Sequence, residues 1–126
     1  MPKSIPDVPS APPALGPYSA ITEANGFVFI SGQVALDIAT GDRITGDVAT
    51  QAEQIMRNIS GMLADLDMSF DDVVKTTIFL ADIGDFGAVN AVYAQYVGDA
   101  KPARSTFQAG GLPGGFLVEI EMIAAR

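Results

Sequence analysis

The C-terminal stretch Phe116–Arg126, FLVEIEMIAAR, decides how this chain is built. Phe116, Val118, Ile120 and Met122 fall on one side; Leu117, Glu119, Glu121 and Ile123 fall on the other. A period of two marks a strand whose faces meet different surroundings. The wholly apolar side needs a cover of helices, and the side carrying two glutamates lies away from that cover.

The cover is found upstream. From Asp47 to about Asp67, Ala52, Ile55, Met56, Ile59, Met62, Leu63 and Leu66 recur at steps of three and four, the stripe of one buried helix face. Asp47 suits its N-cap. A second helix is expected from near Gly84 to Val97, with Phe86, Val89, Tyr93, Tyr96 and Val97 inward and Gly98 just beyond its end. Strands are expected at YSAITEA and FVFISGQV, joined by Asn25-Gly26 in a two-residue primed turn. Further strands follow at VVKTTIFLAD and ARSTFQA, with GGLPGG leading into the last one. The order is ββ-α-β-α-ββ, an α+β domain spanning 1–126 with a proline-rich, extended lead-in over 1–17. Two helices cover only one face of a five- to six-stranded sheet. Yet Phe27 and Phe29 oppose Val28 and Ile30, and Ile78–Phe79–Leu80 is apolar on both faces. Strands buried on both sides need a second cover, and contact between identical subunits would supply it.

Composition narrows the chemistry. The chain has 126 residues, enough to bury roughly two-thirds of its extended surface. It is 48% apolar and 17% charged, with fifteen acids against seven bases and a formal net charge of −8. Such acidity disfavours phosphate backbones and anionic lipid, so neither nucleic acid nor membrane is an expected partner. Absence of cysteine removes thiolate nucleophiles, and absence of histidine removes the commonest base and zinc ligand. A Ser–His–Asp triad, a histidine-based ribonuclease and a catalytic zinc site are excluded; neither metal nor cofactor is expected. The opening residues lack an apolar signal core and no run approaches membrane-span length, so a cytoplasmic location is expected.

Arg104, Thr106 and Gln108 share one side of their strand. A guanidinium stays charged when desolvated and matches a carboxylate in bidentate fashion. Spacing leaves two readings open. Glu119 or Glu121 neutralises Arg104 as a structural ion pair, or Arg104 holds a small acid from outside while a glutamate handles a proton or a water. Glu121 reads as structural, a partner for Lys75 or another strand.

The stretch PARSTFQAGGLPGGFLVEI (102–120) resembles the C-terminal signature of the RidA (YjgF) family, also labelled endoribonuclease L-PSP or reactive-intermediate deaminase. Matching segments stand at GPYS (16–19), ISGQ (30–33), TGD (40–42), VVKTTIFLADIGDF (73–86) and VNAVY (89–93). The resemblance implies a chorismate-mutase-like α+β fold with a mixed sheet, and a homotrimer with sites at the subunit interfaces. It implies that Arg104 grips a substrate carboxylate and that Glu119 orients or activates the attacking water. Tyr18, Ser31, Gly32 and Asn90 match pocket-lining positions, some contributed by the neighbouring subunit. Thr106 stands where many members carry cysteine, a departure that touches substrate preference; the family uses mainly the backbone carbonyl at that position.

The implied reaction is hydrolysis of small 2-imino acids, in equilibrium with their enamines, to 2-keto acids and ammonia. An imine carbon is already electrophilic, so this residue set needs no covalent nucleophile. Rival readings are a non-catalytic carboxylate-binding or chaperone-like trimer, deamination of a larger substrate such as aminomuconate, and the ribonuclease of the family label. The last is disfavoured by the missing histidine and basic stripe.

Overall fold

The computed structural model describes residues 2–126. Strand β1 (Ile21–Ala24) turns into β2 (Phe27–Gln33); helix α1 (Val48–Asp65), β3 (Val73–Leu80), helix α2 (Phe86–Val97), β4 (Ala103–Gln108) and β5 (Val118–Ala125) follow. They build one five-stranded sheet in the order β1-β2-β5-β3-β4. Every neighbouring pair is antiparallel except β3 and β4, which run parallel across the α2 crossover. This is the expected mixed α+β architecture with five strands. The lead-in contributes only an isolated bridge, in which Ser4 and Glu23 exchange two backbone hydrogen bonds of 2.9 Å. Ser10 N–H also donates to the Asp65 carboxylate at 2.8 Å, tying the proline-rich segment to α1.

Local chemistry sets the elements. Asn25 and Gly26 both take positive φ, +53° and +81°, as a primed hairpin turn requires. Asp47 caps α1 by accepting from the Thr50 N–H at 2.8 Å. Ala52, Ile55, Met56, Ile59, Met62 and Leu63 are fully buried, so the expected stripe is the core of the helix–sheet layer. Each large side chain in it stabilises by roughly 1.5–3 kcal/mol. Beneath them lie Val118, Ile120, Met122 and Ala124 of β5, with Val28, Ile30, Ile78 and Leu80 alongside. In α2, Val89, Tyr93 and Val97 face inward as expected, but Phe86 does not. It is the first residue of the helix, 41% exposed, and lies over the sheet edge rather than the core. Tyr96 is half-buried, its hydroxyl bonded to Glu53.

The opposite face of the sheet carries Glu119, Glu121, Phe79, Phe107, Phe27 and Phe29. Phe79 and Phe107 pack edge-to-face at 5.2 Å. Phe27, Phe29 and Phe107 are exposed in the single chain. The pairing of β2 with β5 breaks between Ile30 and Gln33, so Ser31 and Gly32 fall out of register. Such irregularities re-aim side chains at functional sites.

Candidate functional site

Arg104 stands on β4, the edge strand beside α2. Its register partner is Thr76, which is buried and hydrogen-bonds to the Tyr93 hydroxyl at 2.9 Å. Arg104 therefore lies on the helix-covered side of the sheet. Its guanidinium carbon sits 5.0 Å from the Tyr93 ring centre and 5.5 Å from that of Phe86, and Nη1 donates to Asn90 Oδ1 at 2.7 Å. Burial raises the Tyr93 pKa, with Thr76 and Arg104 pulling against it, so the phenol stays neutral. No carboxylate pairs with Arg104; among the described residues the ion pairs are Arg57–Glu53 and Arg126–Glu23. The rest of the fork opens on a basin of about 390 Å³ lined by Asn90, Tyr93, Val97, Lys101 and Pro102.

Thr106 follows on the same side, opposite Ile78, and its hydroxyl is buried without a partner. The backbone matters as much. Ala109 N–H bonds to the Leu80 carbonyl, so odd-numbered residues of this strand direct their amides toward β3. Backbone groups alternate along a strand, which turns those of Arg104, Thr106 and Gln108 off the free edge of the sheet.

Glu119 lies on the other face, across from Phe79. The register break of β2 brings Gly32 directly over its carboxyl. A methyl group built on Gly32 would stand 2.9 Å from Glu119 Cδ and nearer still to one carboxylate oxygen. Only glycine leaves that space. Glu119, Gly32, Tyr18, Arg43, Val34 and Phe116 line a cleft of about 530 Å³. The Glu119 pKa is raised, first by burial and second by the charge of Glu121. Tyr18 folds over the lead-in, its hydroxyl accepting from Leu15 N–H at 3.3 Å.

Within one chain the candidate residues thus fall into two separate groups. Tyr18, Gly32 and Glu119 share the cleft; on the other side of the sheet Arg104 and Asn90 share the basin, with Thr106 following Arg104 on the same side. Ser31 lies outside the cleft lining; its hydroxyl donates to the Ser19 carbonyl at 2.6 Å and ties the strand start in place. The internal ion pair between Arg104 and Glu119 or Glu121 is ruled out, because the sheet separates them. Lys75 is not the partner of Glu121 either, since its ammonium donates to Ser105 Oγ at 3.1 Å. Sequence reasoning missed Arg43, which lies in the Glu119 cleft with its guanidinium carbon 4.1 Å from the Phe116 ring centre. The one available signal was a scarce basic residue directly after the TGD segment.

Among the described residues no three acids gather as a metal centre, and no helix is long and apolar enough to cross a membrane. Residues 8–126 match the family model described as endoribonuclease L-PSP. A mouse protein named 2-iminobutanoate/2-iminopropanoate deaminase is 43% identical over 116 residues, covering 92% of this chain and 86% of the relative. The crystal structure of a conserved Rid-family protein from Yersinia pestis superposes with a TM-score of 0.94 at 40% identity, over 99% of this chain and 100% of the other. E. coli TdcF with bound serine gives a TM-score of 0.90 at 35% identity, covering 98% of each chain. The fold is the chorismate-mutase-like α+β fold of those structures, and the chain belongs to the endoribonuclease L-PSP family, the RidA family whose signature its segments carry.

Proposed function

We propose that this protein hydrolyses small 2-imino acids to 2-keto acids and ammonia, at sites completed where two copies of the chain meet. The carrying observation is the placement of two groups on opposite faces of one sheet: a guanidinium with its fork largely free, and a carboxylate held in no ion pair among the described residues. The sheet keeps these two groups from meeting on one substrate within a single chain. The homotrimer implied by the resemblance would bring the Arg104 basin of one copy against the Glu119 cleft of the next, and the exposed phenylalanines of the open face would be covered in the same step.

In that site Arg104, steadied by Asn90 and flanked by Tyr93 and Phe86, binds the substrate carboxylate in bidentate fashion and orients the imine carbon. Glu119, ionised, accepts a proton from a water held in the cleft. The hydroxide adds to the carbon of the C=N bond, and the electron pair of that bond goes to nitrogen, giving a carbinolamine. Glu119 returns the proton to nitrogen. Glu119 then takes the hydroxyl proton and passes it to nitrogen; the C–N bond breaks with its electron pair leaving on ammonia, and the hydroxyl oxygen becomes the keto oxygen. In this mechanism the Thr106 carbonyl, turned off the free edge of the sheet, accepts from the nitrogen as it becomes an amine, a role that does not need the family's cysteine side chain. Tyr18 and Gly32 line the approach, and Ser31 acts through the backbone it ties down. The deaminase name of the mouse relative and the serine held by TdcF, a small amino carboxylate, support this reading. The ribonuclease in the family label gains no support from a chain of net charge −8 without histidine.

The test couples a threonine dehydratase to keto-acid detection. Wild type is expected to accelerate release of the keto acid, and Arg104→Ala and Glu119→Gln each to lose the acceleration while keeping the native oligomer. Normal turnover by Arg104→Ala would overturn the assignment, and keto-acid binding without any turnover would establish a carboxylate-binding protein instead.

A further inference from the structure

The Glu119 cleft holds a second charged group for which the proposed reaction has no use. The Arg43 backbone is pinned by an antiparallel bridge to Leu36, and the turn between them is closed by Asp37 N–H to the Asp42 carbonyl and Ile44 N–H to the Ala35 carbonyl. Its side chain therefore starts from a fixed place. The guanidinium lies over the face of Phe116, and no carboxylate among the described residues pairs with it. Its other neighbour is Gly114. A Cβ there would stand 3.2 Å from Arg43 Nη1 and 3.0 Å from the Phe116 ring, and the φ of +76° already discourages any other residue. The GGLPGG loop thus leaves a seat in which this guanidinium lies over an aromatic ring and lines the cleft.

Among the other cations of this base-poor chain, Arg57 and Arg126 are engaged with carboxylates and Lys75 with Ser105, while Arg104 holds the first carboxylate in the proposed reaction. A three-carbon imino acid fills only part of a cleft of about 530 Å³. We infer that Arg43 receives a second acidic group, so that the preferred substrates are 2-imino acids with a carboxylate at the far end of the side chain. The inference rests on the deaminase reading for its chemistry. The bond changes are unaltered: 2-iminoglutarate and water give 2-oxoglutarate and ammonia. Lys101, in the Arg104 basin, is the competing cation.

The experiment compares kcat/KM for 2-iminoglutarate, generated by glutamate oxidase, with that for 2-iminopropanoate, generated from D-alanine by an amino-acid oxidase. The readout is the ratio between the two substrates, measured for wild type, Arg43→Leu, Arg43→Lys and Lys101→Leu. Loss of a charge-assisted bidentate contact is expected to lower the ratio about 10- to 100-fold in Arg43→Leu. Arg43→Lys, which keeps the charge without the fork, is expected to fall between, and it remains informative if the leucine variant fails to fold. Calorimetric affinities for 2-oxoglutarate against pyruvate are expected to move in parallel and need no turnover. If wild type hydrolyses neither imine, the deaminase reading fails while the affinity ratio still decides the role of Arg43. An unchanged ratio in the Arg43 variants, a fall confined to Lys101→Leu, or no 2-oxoglutarate binding to wild type overturns the inference.

Discussion

Gly32→Ala tests the position of Glu119 without altering its chemistry. The added methyl would stand 2.9 Å from Glu119 Cδ and 3.2 Å from Cγ. Carbon atoms settle at about 3.5–4.0 Å, so the carboxyl carbon must withdraw by about 1 Å. A displacement of that size costs about 10²-fold in rate when the group must meet a positioned reactant. The obstructing atoms are the far end of a flexible side chain, so the stability cost should stay below about 1 kcal/mol, the low end for overpacking a rigid core. The assay is imine hydrolysis for Gly32→Ala, Glu119→Gln and the double variant, with melting temperatures in parallel. A fall of about 100-fold is expected for Gly32→Ala, with little further loss when it is added to Glu119→Gln, because both act through one carboxylate. Full activity in a folded Gly32→Ala protein would refute the reasoning, as would independent losses that multiply in the double variant.

Glu119 must be ionised to accept a proton and its pKa is raised, so activity should climb with pH through a limb above the ordinary carboxylate value of about 4.3; Glu121→Gln removes the second cause of that shift and should move the limb to lower pH. The sign for folding is opposite: a raised pKa contributes stability below the ordinary carboxylate value that is lost as pH rises through the raised one, so urea unfolding should find Glu119→Gln more stable than wild type at pH 7 and the two alike near pH 4. Phe29→Asp places a charge on an exposed apolar face and should yield a folded monomer without imine hydrolysis in sedimentation and activity measurements, whereas an intact oligomer would show that this face is not the interface.

The parts of the fold that could be read from the sequence are those where burial is one-sided. The α1 stripe and the alternation of β5 are legible because a helix or strand between core and solvent must repeat its apolar residues at its own period. Phe86 is exposed although it keeps the helical period, because the period continues to the first turn while the core beneath it does not. The relation of Arg104 to Glu119 lay beyond any pattern within a strand. Each strand shows its two sides, but which side of β4 matches which side of β5 depends on the intervening β3 and on the parallel register Thr76–Arg104. Arg43 sits in a loop with no periodicity, and its seat is made by a glycine from a distant segment.

That same arrangement of faces yields the sharpest consequence for assembly. No rotamer change can carry Arg104 through the sheet to Glu119; the proposed mechanism therefore requires that one chain cannot hold a complete site and that two defective chains can hold a sound one. In a mixture of Arg104→Ala and Glu119→Gln proteins, dissociated and reassembled together, some interfaces pair the intact Arg104 of one chain with the intact Glu119 of another. With random, equal mixing in a closed ring, each interface draws each partner independently, and about one quarter of the sites carry both groups. Activity should therefore rise from near zero in either protein alone to about one quarter of the wild-type value. If both residues served a site within one chain, every site in every mixture would still lack one of them, and no mixing ratio would restore turnover.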